Sequence, residues 1–256
     1  MSQSFESLRR VGQRIAPLGV GGGSGPESAR SSVRLTSAQG PIALPEMDER
    51  SREQVAKLVR RLFLARDGVR AVVLAGVESG NGGSWMAAHC AKILAARAIG
   101  SVCVVDANLR TPALHRYFAV GNHYGLSDAI NEPAPVRDFV TALPGMGNLW
   151  LMSCGSMTGP DAQQLLASKA LRSRISELRA AFDFLVIDAP PVSLFGDALV
   201  LGQLADGVTL VVAEQDTRKG SALHAVQELG KANVRVLGAV LNKRTFPIPQ
   251  QIYDRL

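Results

Sequence analysis

The stretch VRAVVLAGVESGNGGS, residues 69–84, decides the fold. Ala71 to Val77 is an apolar run of the kind a buried strand needs. It breaks into the glycines Gly80, Gly82 and Gly83, and an amphipathic run follows from Trp85 to Arg97. Strand, glycine turn and helix in that order make a phosphate loop, which aims backbone N–H groups and the positive end of a helix at an anion. The complete pattern closes with Gly-Lys-Ser or Gly-Lys-Thr, the lysine reaching the outer phosphates and the hydroxyl holding Mg²⁺. Here the closing residues are Gly82, Gly83 and Ser84, so the lysine position is a glycine.

Outward from this loop, further apolar runs alternate with helical patterns. Ser101 to Val105 is continuous rather than alternating, as strands covered on both faces are, and ends at Asp106. Leu149 to Ser153, Phe184 to Ile187 (ending at Asp188), Val208 to Ala213 and Val234 to Leu241 read as further strands. Helical spacing marks a segment from Glu46, with its apolar stripe at Val55, Leu58, Val59, Leu62 and Phe63. It recurs over Trp85–Ala96, Gln163–Phe182, Asp197–Ala205 and Lys219–Ala232. The middle, from His115 to Ala142, is irregular, with helical pieces at Leu126–Ile130 and Val136–Leu143. Strands alternating with helices predict an α/β fold with a mostly parallel sheet flanked by helices, a three-layer, P-loop NTPase-like arrangement. Ligands of such sheets sit at the carboxyl ends of the strands. The glycine loop, Asp106 and Asp188 all fall there.

The domain implied runs from residue 46 to 244. Residues 1–45 contain GVGGGSGPESARSS and have the composition of a flexible segment. Within them Phe5, Leu8, Val11 and Ile15 keep helical spacing, as a short docking helix or a frayed tail would. Residues 245–256, TFPIPQQIYDRL, form a C-terminal tail whose Phe246, Ile248, Ile252 and Tyr253 can pack on the core or on a neighbour. The net charge of +6 is spread along helix faces, with basic residues adjoining only in pairs such as Arg60-Arg61 and Lys243-Arg244. That distribution speaks against nucleic acid as a partner. Cys90, Cys103 and Cys154 form no CxxC pair, so neither zinc nor a disulfide framework is expected, and a reducing cytoplasm suits them. No apolar stretch reaches the length of a membrane span, and the N-terminus carries no apolar signal core.

A nucleoside triphosphate with Mg²⁺ needs backbone donors, a hydroxyl ligand and carboxylates that place the ion. Ser79, Gly80, Asn81, Gly82, Gly83, Ser84 and Trp85 supply the loop and the start of its helix. Ser84, Asp106 and Asp188 are the metal-side candidates, and Arg110 can steady phosphate charge. Each residue also has an ordinary reading, as a turn glycine, a helix N-cap serine or a turn aspartate. The ordered set at strand ends favours a phosphate site.

These residues carry a family resemblance. From about Glu53 to Asn242 the chain resembles the cytoplasmic kinase domain of the bacterial tyrosine kinases (BY-kinases, CpsD/CapB type) of capsule and exopolysaccharide assembly, relatives of the MinD/ParA ATPases. VDANLRTP, residues 105–112, resembles the family's Walker A′ pattern, and LVIDAPP, residues 185–191, its Walker B. GAVLNK, residues 238–243, resembles the strand whose asparagine, here Asn242, would read the base. The resemblance implies ATP/ADP and Mg²⁺ as ligands and Asp106 and Arg110 as catalytic groups. It also implies a tail tyrosine, here Tyr253, as phosphoacceptor and a homo-oligomer. The implied partner is the cytoplasmic end of a separate, Wzz-like polysaccharide co-polymerase of the inner membrane, which would hold the protein peripheral to that membrane.

The departures weaken these functions together. Gly83 replaces the loop lysine, and Asn108 replaces the second Walker A′ aspartate. The family's Glu-x-x-Arg-x-x-Arg helix has Ala56 and Val59 after Glu53, and the tyrosine cluster is reduced to Tyr253. Lys219, Lys243, Arg244 and Arg110 are candidate substitute cations. Three readings follow: a degenerate kinase that regulates or scaffolds export, an active autokinase with a substitute cation, and a positioning ATPase of the MinD/ParA kind.

Overall fold

In the computed structural model, residues 44–65, 68–156, 162–214 and 217–243 are described. The expected N-terminal segment up to residue 43, and the tail with Arg244 and Tyr253, lie outside them. Among the described residues seven strands form one sheet in the order β3-β4-β2-β5-β1-β6-β7. The strands are β1 Ala71–Gly76, β2 Val102–Asp106, β3 Thr141–Ala142, β4 Leu149–Met152, β5 Phe184–Ala189, β6 Val208–Ala213 and β7 Val236–Asn242. Every pairing is parallel except that of β3 with β4. The P-loop NTPase-like three-layer architecture expected from the sequence is the one observed.

The central strands read as apolar runs because both faces are covered. Along β1, Ala71, Val73 and Ala75 enter a core shared with α4 (Leu126–Asn131), α6 (Lys169–Ala181), α7 (Asp197–Leu204) and α8 (Lys219–Lys231). Val72 and Leu74 enter a second core with α1 (Glu49–Leu62), α2 (Gly83–Arg97) and α3 (Leu114–Tyr117). All six residues of β1 and all five of β2 are buried.

Helix α1 starts at Glu49 rather than Glu46, because the Asp48 carboxylate accepts from the Ser51 backbone N–H at 2.8 Å and caps the helix there. Its inner face is Val55, Ala56, Val59 and Leu62. Ala56 and Val59, which stand where the family pattern carries arginines, are buried against the second core.

Two further expectations are corrected. The run Gln163–Phe182 is not one helix. It divides into α5 (Ala162–Ala167) and α6, because the Ser168 hydroxyl donates to the Leu165 carbonyl at 2.7 Å and accepts from Leu171 N–H at 3.1 Å, ending one helix and capping the next. Val136–Leu143 is not an α-helix. Pro135 precedes a single 3₁₀ turn, Val136–Phe139, after which Thr141 and Ala142 extend to pair with Leu151 and Trp150 as the edge strand β3. The short helix α3, inside the stretch read as irregular, brings two backbone amides to the site described next.

Candidate nucleotide-binding site

The glycine loop leaves the carboxyl end of β1 and enters α2 through Gly82, its N-cap, with φ of 87°. Only glycine fits there. Beyond the left-handed backbone, a Cβ would fall 2.4 Å from Asn242 Nδ2. Gly80, with φ of 82°, makes the preceding bend and has open space around it. Helix α2 has no side-chain cap and no acidic residue in its first turn. Its terminal N–H groups and dipole are therefore directed at whatever occupies the loop.

The loop is braced from two neighbouring strand ends. Buried Asn81 accepts through Oδ1 from the Glu78 N–H at 2.8 Å and from the Thr217 hydroxyl at 3.1 Å. The Thr217 hydroxyl in turn accepts from Ala213 N–H at the end of β6, at 3.0 Å. Asn242, at the end of β7, donates from Nδ2 to the Asn81 carbonyl at 2.9 Å. The residue expected to read a base thus holds the loop. No local sequence pattern marks Thr217, because its partner Asn81 lies 136 positions away.

Across β2 and β5, Asp106 and Asp188 are register partners. Alternation from Val104 and Val186, which enter the second core, places both carboxyls on the face of the sheet that α2 and α3 cover. Asp106 Oδ2 accepts from the Ala113 and Leu114 N–H groups at 3.0 and 2.9 Å. Its Oδ1 and both oxygens of Asp188 are buried without a hydrogen-bond partner. Burial raises the Asp106 carboxyl to about 7, against the pull of the Leu114 and Ala113 amides. Burial, then the Asp106 charge, raises Asp188 well above the usual carboxylate range. The Ser84 hydroxyl opposes that rise without meeting hydrogen-bond geometry. Tyr117, half-buried on α3, is raised by burial and then by the Asp188 charge.

Three orphaned carboxylate oxygens beside a hydroxyl and an uncapped helix N-terminus fit a divalent cation that also binds phosphate. Among the described residues no group of three His, Cys, Asp or Glu side chains forms a protein-only cage. Two aspartates and a serine leave coordination places for phosphate and water, as Mg²⁺ requires.

The other expected residues are placed as follows. Asn108, where a second aspartate would stand, accepts through Oδ1 from the Thr111 N–H and hydroxyl at 3.1 and 3.2 Å, folding its own loop. Arg110 makes a bidentate pair with Asp197, at 3.0 and 3.2 Å, and its guanidinium lies 4.0 Å from the Phe195 ring centroid. Trp85 lies against the His89 ring at 4.2 Å between centroids, rather than standing alone at the loop. Burial, then Lys92, lowers His89 to about 4. At Gly83 itself a Cβ would stand 3.0 Å from Gly76 N, so a side chain fits there if the β1 end yields by a few tenths of an ångström.

No family model matches the chain. It is 30% identical over 174 residues to the tyrosine-protein kinase YwqD of Bacillus subtilis (strain 168), covering 68% of this chain and 72% of that protein. The chain belongs to the bacterial tyrosine-protein kinases. A second family member, tyrosine-protein kinase CpsD of Streptococcus pneumoniae serotype 4, is 27% identical over 199 residues, covering 77% of this chain and 86% of its own length. Among solved structures, the VpsO kinase domain superposes with a TM-score of 0.68 at 25% identity, over 77% of this chain and 98% of that domain. The cell division ATPase MinD of Pyrococcus furiosus, with a TM-score of 0.58 at 22% identity over 73% of this chain and 78% of its own, shares the fold.

Proposed function

We propose that this bacterial tyrosine kinase relative is a degenerate member, with weak or absent phosphotransfer, that regulates or scaffolds exopolysaccharide or capsule export. The observation that carries this reading is Gly83. The position from which the loop lysine would reach the outer phosphates holds no side chain, and Arg110 is taken up by Asp197 and Phe195. A charge-assisted contact of this kind contributes about 1.5–3 kcal/mol, and more of it acts on the transferring phosphoryl than on bound nucleotide.

Binding and phosphotransfer separate in this reading. Ser79 to Trp85 and the α2 amides receive the phosphates of ATP or ADP. Ser84, Asp106 and Asp188 hold Mg²⁺, which when bound neutralises phosphate charge. The aspartate pair is retained while the lysine is not, so nucleotide occupancy serves as a structural signal. Buried Ala56 and Val59, in place of the family's paired arginines, give no cationic contact for a ring of subunits. The partner is the cytoplasmic end of a separate polysaccharide co-polymerase. That assignment rests on the family resemblance.

A second reading, an active autokinase, draws on one observation: the Arg116 charge acts on Asp106 from α3, so a cation other than lysine stands near the carboxylate pair. Incubation with labelled ATP and Mg²⁺ decides between the two. The expected result is no phosphotyrosine. Label on Tyr253 in the unmodified protein that vanishes in Asp188→Ala would overturn the degenerate reading. Deletion of the gene is expected to change polymer export or chain length, and unchanged export would count against the regulatory role.

A further inference from the structure

Asn108 lies in the loop, residues 107–113, that wraps the Asp106 carboxyl. Where this loop leaves β2, Ala107 N–H donates to the Asp188 carbonyl at 3.0 Å and ties it to the end of β5. Its far end returns the Ala113 and Leu114 N–H groups to Asp106 Oδ2. Burial raises the Asp106 carboxyl, and three backbone amides oppose the rise, those of Leu114, Ala113 and Asn108. Asn108 is therefore an immediate neighbour of the aspartate pair, and it is only 5% exposed.

The hydrogen bonds of Asn108 do not explain why it is an asparagine. Its Oδ1 accepts from the Thr111 N–H and hydroxyl, which folds the loop. A carboxylate has the same shape and would accept the same two bonds more strongly, since a charged acceptor roughly doubles a hydrogen bond's strength. Loop geometry alone thus suits aspartate at least as well. What asparagine changes is charge. It keeps a third carboxylate away from Asp106 and Asp188, three of whose oxygens are already buried without a donor.

Gly83 makes the opposite change on the glycine loop, where the complete Gly-Lys-Ser pattern has a cation. Nucleotide phosphates that enter with Mg²⁺ still bring a net negative charge. They meet the positive end of α2, the two aspartates and the Arg116 charge that acts on Asp106. The Arg110 charge is already matched by Asp197. A third carboxylate at residue 108 would add repulsion that no loop lysine offsets. We propose that Asn108 is the charge counterpart of Gly83, and that together they keep the site able to hold a nucleoside phosphate with Mg²⁺ although its loop lacks the lysine. One positive and one negative charge are lost, and the sum is unchanged. This rests on the nucleotide-binding reading and extends it: two departures that both weaken phosphotransfer offset each other in binding. Asn108 sets the charge the ligand meets, and aspartate in its place would leave the loop's shape intact.

Calorimetric titration of the whole chain, with Mg²⁺ alone and with ATP–Mg²⁺, tests the proposal. Asn108→Asp keeps the Thr111 bonds and adds one charge. It should tighten the binding of Mg²⁺ alone and weaken that of ATP–Mg²⁺, each by at least about threefold. A defect of loop shape would weaken both, as Asn108→Ala is expected to do by removing the acceptor for Thr111. In the double variant Gly83→Lys with Asn108→Asp the two charges are restored together, so its ATP–Mg²⁺ affinity should return to within about threefold of the unmodified protein. Unchanged or tighter ATP–Mg²⁺ binding in Asn108→Asp would overturn the proposal while leaving the nucleotide reading in place. So would a loss of both ligands in that variant. If the unmodified protein bound Mg²⁺ and no ATP, the nucleotide reading itself would fall, and the pairing with it.

Discussion

Asp106 and Asp188 face each other as register partners at the carboxyl ends of β2 and β5, both fully buried, and three of their four oxygens meet no hydrogen-bond donor. Two carboxylates so placed cannot both ionise without a cation. The folded chain therefore keeps proton that the unfolded chain gives up above its usual value of 3.8, and Asp106 retains it up to about 7.

The sign of the pH dependence follows. A carboxyl raised by folding lends stability that is full in acid and is lost as pH climbs through the folded value. In a chelator, thermal stability should therefore fall as the pH climbs from about 4 through about 7. Excess Mg²⁺ should restore it at pH 8, and Asp188→Asn should flatten the slope and abolish the Mg²⁺ response. Melting temperatures across that range check this. A flat profile in the unmodified protein would show that the pair is not the titrating element.

Gly83→Lys restores the missing cation. The new Cβ presses on Gly76 N at 3.0 Å, and the β1 end must move slightly. The charged contact should outweigh this strain, so ATP–Mg²⁺ affinity should rise about tenfold or more while the melting temperature falls slightly. Calorimetric titration reads the gain. No gain would mean that the loop, despite its braces, does not present its amides to phosphate.

The braces make a separate prediction. Thr217→Val leaves Asn81 Oδ1 and the Ala213 N–H each short of a partner in a buried setting, at a cost of about 1–2 kcal/mol. Asn242→Ala frees the Asn81 carbonyl and opens the space beside Gly82. If Asn242 serves the loop and not the base, ATP and GTP affinities should fall by the same factor in Asn242→Ala. A loss confined to ATP would return Asn242 to the base-reading role expected from the sequence.

How much of this was legible in the chain depends on how local the cause is. Strands β1, β2, β5 and β6 announce themselves because burial on both faces keeps them apolar except at Asp106, Asp188 and Thr209. The loop and both aspartates are found because parallel topology gathers strand ends. Ser168 divides a helix through two hydrogen bonds that a serine offers anywhere, so the apolar spacing across 163–182 conceals the break. Strand β3 is two exposed residues whose extension comes from β4. Arg110 appears free in sequence, and its partner Asp197 lies 87 positions on. The Asn81–Thr217–Asn242 brace is invisible for the same reason. Its members come from three strand ends that only the folded sheet brings together.

The Arg110–Asp197 pair bears most directly on whether the chain can still transfer phosphate. Asp197, on the first turn of α7, is nearly buried, and Arg110 is less than a quarter exposed. Asp197→Asn keeps the shape of the acceptor but removes the charge that holds the guanidinium. Stability should fall by about 1–3 kcal/mol, since one member of a partly buried pair is left uncompensated. The released arginine is then the nearest test of a substitute cation. In the degenerate reading, Asp197→Asn lowers the melting temperature and leaves phosphotyrosine formation at background, because a group that must leave a packed Phe195 contact does not replace a lysine built into the loop. A gain of autophosphorylation in Asp197→Asn, abolished again in the double variant with Arg110→Ala, would show that the ion pair restrains an otherwise competent kinase.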